Sequence, residues 1–567
     1  MKRILALVLA VCLLLSGCHL TINLSPKETE ASHDQLDFNT LEYVRPDLEG
    51  MEALVDECLE LTSQEGKQDQ ILELYDRILD EIGNLSTMSS LASVRHDLDL
   101  QNSYYEQESL DLDAFYIKFD NRMNELTQAI LDSQYAEAAV AAWGQDFVDR
   151  YLVNSKLNDP KIEALTEREL ELENEYSKLL AQEYTTTLNG EEVTIADLDL
   201  SSMAGVNAYY KIYEKKNQEL GEIYRELVSL RVEIAKTLGY DSYTDYAYDC
   251  LGRDFTKEEA QDFSQKVLNE LATVYAWLDN TYYYDAIDAM ERSTVGPVEA
   301  IAYLQSAVAE EYPARMAQAL EFMLSSNLYT FAGEANMTQG AYTTILEDLH
   351  APYMFINTSL YTDASPLVHE FGHYYNFYLM EDVAWNDNNS LDLAEVHSQG
   401  MELLMFESYP EIYGDDAEMM MLYTQLNLLY AVLSGCVEDL FQQRVFEDPD
   451  MSLEEMNQLH GDLYEQYFGY PVYYEWVDIH HHFETPFYYI SYATSAISAL
   501  ELWAVSVEDR ARAMEIYDQL TRYTLNVSYL EALEESGLSD PFTSDAVERI
   551  GEVMEAWVKE MEARPAA

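Results

Sequence analysis

Basic residues are scarce in this sequence: 32 Lys and Arg stand against 105 Asp and Glu in 567 residues, a formal net charge of −73. So acidic a chain repels nucleic-acid phosphates and anionic lipid headgroups, which excludes partners of those kinds. The acidic residues run through most of the chain, so they read as the surface of a folded body and not as a tail. Cysteine is scarce too, at five residues. Beyond Cys12 and Cys18, only Cys58, Cys250 and Cys436 remain, odd in number, widely spaced and without a C-x-x-C pair, so neither a disulfide framework nor a cysteine metal site is indicated. With 13 Pro and 21 Gly, chain breaks are few, and long helices are expected. After the N-terminal leader no apolar run approaches the ~18 residues of a membrane span, and no internal repeat or low-complexity tract is visible.

The leader has a basic start, Lys2 and Arg3, an apolar stretch Ile4–Leu15, and ends in Leu15-Ser16-Gly17-Cys18, which resembles a bacterial lipobox. It reads as an export signal over 1–17, a lipid-modified Cys18 and a polar tether to residue 40, which would anchor the protein at the outer face of the cytoplasmic membrane or another envelope membrane by its lipid alone. The remainder reads as an N-terminal helical region, 41–204, and a catalytic region, 205–567. Apolar residues at three and four spacing predict helices over Tyr209–Leu238, Lys257–Met290, Val298–Leu324 with a break at Pro313, and Ala417–Phe446. Strands are expected at Thr185–Leu188 and Glu192–Ile195 around the turn pair Asn189-Gly190, and at Leu328–Phe331, Ala341–Ile345 and Tyr353–Ile356. The result is one large, mainly α unit, divided by a cleft into two lobes.

Just after the last of these strands stands His369-Glu370-Phe371-Gly372-His373, in a helix that Ser365 would cap and Pro366 would open. Imidazoles four residues apart on a helix face the same way and can hold one metal ion, with the intervening glutamate placed as a base, the arrangement of zinc peptidases. A hydrolytic site needs a third protein ligand and one open position. The helix expected from Ser390 to Glu402 offers Glu395, with Ser398, Gln399 and Glu402 on the same face. Glu395 is assigned as third ligand, and Gln399 and Glu402 as groups that orient the histidines. His397 lies about 200° round the helix from Glu395 and reads as packing on the far side. The stretch His480–Thr494 supplies neutral donors for charge developing on a carbonyl oxygen: His482 and Tyr492, with Tyr489 next. A separate metal patch on His480–His482 is the competing reading of that run.

These residues resemble the zinc metallopeptidase family of oligoendopeptidase F and thimet oligopeptidase, on Tyr224–Tyr246, Gly340–His373, Ala394–Glu402 and His482–Thr494 taken in order. The resemblance implies one Zn²⁺ on His369, His373 and Glu395, Glu370 as general base, and His482 and Tyr492 as transition-state donors. It further implies an all-helical fold with a deep central channel and a small β-sheet beside the zinc site, whose strand at Gly340, Ala341 and Tyr342 would hold an extended peptide by backbone pairing. Internal cleavage of short oligopeptides by a monomer is the expected activity. A peptide-binding protein that has lost the chemistry and a metallocarboxypeptidase are the alternatives. The sequence departs from the family at His397, at Ser495 where Gly is common, and in the placing of Tyr489-Ile490.

Overall fold

The computed structural model describes residues 36–155, 161–310, 312–380, 390–522 and 527–563. The leader, Cys18 and most of the tether lie outside the described residues.

The N-terminal part is built from α1 (Leu48–Thr62), α2 (Gln68–Asp97), α3 (Ser103–Leu131), α4 (Ala136–Trp143) and α5 (Gln145–Asn154). In α2 the buried Ile71, Leu74, Tyr75, Ile78, Ile82 and Leu85 fall at three and four spacing and pack with Met51, Val55, Leu112, Phe119 and Leu126 into a core of their own. The last turns of the same helix, at Leu91 and Val94, enter the main core instead. One 30-residue helix thus belongs to both cores.

Next come α6 (Glu163–Leu180), the hairpin β1 (Thr186–Leu188) and β2 (Glu191–Val193), α7 (Met203–Leu238), α8 (Tyr243–Cys250), α9 (Lys257–Glu270), α10 (Ala272–Arg292), α11 (Pro297–Glu310) and α12 (Ala314–Ser325). Asn189 and Gly190 both take positive φ, 53° and 89°, as a two-residue hairpin turn demands. The single helix expected over Lys257–Met290 is two, kinked at Leu271, where the N–H still bonds Val267 and the carbonyl still accepts from Tyr275. No breaking residue marks that kink, so the apolar periodicity runs through it.

A three-stranded sheet follows, in the order β3 (Tyr329–Ala332), β5 (Ala351–Asn357), β4 (Ala341–Leu346), with β3 parallel and β4 antiparallel to β5. Every residue of central β5 is buried, whereas β4 is an edge strand. Both α2 and α13 (Ser365–Leu379) pack on β4.

The rest is helical: α14 (Leu391–Ala394), α15 (Val396–Leu404), α16 (Tyr409–Tyr413), α17 (Ala417–Glu447), α18 (Leu453–Phe468), α19 (His480–Glu484), α20 (Ile490–Glu508), α21 (Arg510–Leu520), α22 (Tyr529–Ser536) and α23 (Ala546–Ala563). Helix α17 is buried almost all round and packs on α9, α10, α18 and α20. By composition alone, windows within Leu391–Glu447 and Ile490–Glu508 are apolar enough to cross a membrane, but they are 78% and 83% buried inside the protein and are core helices.

Candidate metal centre

Helix α13 begins at Ser365 itself, with Pro366 in its first turn, and the Asp363 carboxylate accepts from the Ser365 N–H. The expected Ser365 cap is not made: Ala364 stands at the N-cap without a side-chain cap bond, and Asp363 takes the first helical N–H instead. His369 and His373 are one turn apart, with ring centroids 5.1 Å from each other. The expected helix over 390–402 is interrupted at Glu395 (φ −92°, ψ −5°) into α14 and α15, and no side-chain cap comes from Ser390. The break does not scatter its face. Glu395 Oε2 lies 3.3 Å from His369 Nε2 and 3.5 Å from His373 Nε2, and one donor atom from each of the three residues falls within a 4.8 Å span.

Two imidazoles and a carboxylate on one point are a donor set that suits zinc, with a position left for water or substrate. His369 Nδ1 is 2.8 Å from Glu402 Oε1, which leaves Nε2 as the nitrogen turned to Glu395. Ser398 donates to Glu395 Oε2 at 2.8 Å. Gln399 Oε1 is buried without a hydrogen-bond partner among the described residues. Burial pulls His369 down, but its hydrogen bonds to Glu395 and Glu402 hold it well above the usual histidine range. Glu395 goes the other way: burial opposes ionisation, and the charge and hydrogen bonds of His373 and His369 hold it well below the usual carboxylate range.

Glu370 is buried and accepts from Thr343 Oγ1 at 2.8 Å. Burial raises its pKa, against the lowering pull of His369, His373 and Thr343. Thr343 belongs to β4, so the edge strand and the motif glutamate are joined through one hydroxyl, which also lies 3.1 Å from the Glu370 carbonyl oxygen. The neighbouring Tyr342 donates its O–H to Asp97 on α2 at 2.7 Å, and Gly340 enters the strand at φ +108°. The sequence reading put Ser398 on the face of Glu395 without giving its hydroxyl a partner and gave Thr343 no role beside Glu370; strand alternation and the i, i+3 rule mark their positions but do not choose their hydroxyls as partners.

Helices α13 and α15 cross at Gly372. A Cβ there would meet the His397 carbonyl oxygen at 2.5 Å and Ser398 Cα at 2.6 Å. The His397 carbonyl accepts from Tyr517 at 2.8 Å, and burial first, then the charge of His373, depresses its imidazole to about 4.

The segment after α18 turns the two expected donors toward different neighbours. Side chains of consecutive helical residues point about 100° apart, so the histidines at 480, 481 and 482 cannot share a direction. His482 is wholly buried among Tyr224, Phe441 and Trp476, with Nε2 3.2 Å from Glu438 Oε2. Glu438 also takes His460 Nε2 at 3.1 Å, and although burial opposes it, these imidazoles hold its carboxyl at about 2. His481 is the residue turned to the tyrosines: its Nε2 is 3.4 Å from the Tyr492 hydroxyl and its ring stacks on Tyr488 with centroids 4.7 Å apart. Tyr488, Tyr489 and Tyr492 cluster with Leu391, four residues before Glu395. Thr494 and Ser495 both donate to Asp392, at 2.7 and 2.8 Å, so the serine in the common glycine position ties α20 to the segment of the third candidate ligand. Among the described residues the His480–His482 run forms no second metal-ligand cluster.

Comparison with known proteins bears on the fold. Residues 38–158 match the Peptidase M3 N-terminal domain. No curated protein matches the sequence. Among solved structures, PZ peptidase A with an inhibitor superposes with a TM-score of 0.73 at 22% identity, covering 92% of this chain and 99% of that one. A Bacillus anthracis str. Ames protein, provisionally assigned as oligoendopeptidase F, gives 0.70 at 23% identity, covering 93% and 98%. Oligoendopeptidase-F from Enterococcus faecium gives 0.55 at 15%, covering 91% and 98%. Residues 38–158 are thus similar to the Peptidase M3 N-terminal domain, and over more than nine-tenths of its length the chain shares the fold of solved structures assigned as oligoendopeptidase F.

Proposed function

We propose that the protein is a zinc metallopeptidase that hydrolyses internal bonds of short peptides. The observation that carries this reading is the meeting of His369, His373 and Glu395 within 4.8 Å, with the buried Glu370 beside them and hydrogen-bonded to edge strand β4. The three residues would hold the ion, which when bound supplies a Lewis acid and brings the pKa of water toward about 7. Glu370 takes the proton from the attacking water and delivers it to the departing amine; Thr343 holds the carboxylate in place for both transfers. Glu402 fixes the His369 tautomer. Backbone groups of β4 on the edge away from β5 bind the substrate as an added strand, which positions an extended peptide without reading its side chains. His481 and Tyr492 donate to the negative charge that builds on the carbonyl oxygen, with Tyr489 supporting the ring cluster. The leader resembling a lipobox supports an exported protein tethered through Cys18.

The test is digestion of a mixed library of peptides about ten residues long by residues 19–567 beside Glu370→Gln, read by mass spectrometry. Internal cuts by the parent alone are expected. Release of single C-terminal residues would instead make it a carboxypeptidase, and no cleavage by folded, zinc-loaded protein would overturn the enzymatic reading in favour of peptide binding.

A further inference from the structure

Two buried arginines grip the backbone of the segment that carries His481 and the tyrosines, one at each end. Arg231, on α7, is 1% exposed, and its guanidinium donates to the carbonyl oxygens of His482 (3.2 Å) and Phe483, while Glu169 and Glu173 on α6 take its other faces. Arg253, in the turn between α8 and α9, has a side chain with no exposure. Its Nη2 donates to the Phe487 carbonyl at 2.6 Å and to Ser491 Oγ at 3.1 Å, and its Nε lies 3.6 Å from Asp392 Oδ2.

Between the grips, Phe487 stands at φ +66°, a conformation that L side chains rarely adopt. It is fully buried, its N–H bonds Gln442 Oε1 at 3.0 Å and its carbonyl bonds Arg253, so the turn is over-determined from both sides. Burying guanidinium groups is costly, and apolar packing of equal volume would serve stability as well or better. Moreover, four of their acceptors, at 482, 483, 487 and 491, belong to the single stretch that aims His481 and Tyr492. Asp392 carries the same connection to the Glu395 segment through Thr494.

We infer that Arg231 and Arg253 are positioning residues that preset the His481–Tyr492 face for the reaction, an inference that rests on the peptidase reading above. Arg231 serves its two acceptors on that stretch from two nitrogens of a planar fork, and Arg253 serves both of its acceptors from Nη2 while Nε faces Asp392, spreads that the single ammonium of a lysine cannot reproduce. Misplacement of reacting groups by about 1 Å costs on the order of 10² in rate.

The test uses Arg231→Lys and Arg253→Lys in the full chain, with peptide kinetics, melting, bound zinc and amide hydrogen exchange measured on each. Each variant is expected to lose about 10²-fold in kcat while KM moves less than about threefold and zinc content stays at the parent level. Exchange should quicken at least tenfold over 480–485 in Arg231→Lys and over 487–492 in Arg253→Lys, with the rest of the chain unchanged. Parent-like exchange in those stretches, or a kcat loss that merely tracks a fall in melting temperature, overturns the inference while the peptidase reading stands. Absence of cleavage by the parent chain overturns that reading, and the positioning role with it, whatever the exchange shows.

Discussion

The two halves of the candidate site were built by different rules. The pairing of His369 with His373 follows from i, i+4 helical spacing, and Glu395 meets both from the next described helical segment. The stretch 480–492 is a five-residue helix and a strained turn held by side chains from α7, α17 and the turn before α9. Its directions are decided by tertiary partners, and there the residue expected to face the site, His482, is the one turned inward. Local periodicity places groups on one element; it does not choose among adjacent residues when distant elements set the rotation.

The contrast can be tested from its strongest point downwards. Glu370→Gln should cost at least about 10³-fold in kcat with melting and zinc content unchanged, as expected for loss of a general base; a variant retaining a tenth of the activity would break the assignment. On the other half, His481→Gln should lower kcat about 10²-fold at unchanged melting temperature, whereas His482→Gln should chiefly destabilise, by ~1–3 kcal/mol, because Glu438 loses a buried partner. The reverse pattern would restore His482 as the donor. Glu402→Ala should weaken zinc binding about 10- to 100-fold in a chelator competition, and an unchanged affinity would show that the 2.8 Å contact with His369 does nothing for the ion.

The smallest effect at neutral pH comes from His397. Its folded pKa is depressed to about 4 from an ordinary 6.5, so between these values the unfolded chain binds the extra proton. Stability from this group is present above about pH 6.5 and lost as pH falls toward 4, by roughly 3 kcal/mol over the full range. Melting curves of His397→Gln should lack that part of the acid decline; parallel curves for parent and variant would show that the imidazole is not held neutral.

Much of the fold was legible. The turn at Asn189-Gly190, the break at Pro313 and the three strands before α13 all appear where composition and periodicity put them. What stayed hidden has a common cause. The kink at Leu271 and the interruption at Glu395 carry no breaker residue, and the division into two cores is invisible because α2 serves both with one unbroken pattern. At the site, the histidine pair and both glutamates could be read from spacing, but the hydroxyls of Thr343 and Ser398 and the guanidinium groups of Arg231 and Arg253 act on partners that only folding brings near.

Gly372 reaches beyond this chain. It takes no part in the chemistry, yet the space its side chain would occupy already belongs to the backbone of 397 and 398. In evolutionary terms the fourth position of the histidine motif is under a constraint inherited from helix crossing and not from reaction. A lineage could exchange it only by moving one wall of the site, so a survey scoring reacting groups alone would pass over a change there that loosens the hold on the ion.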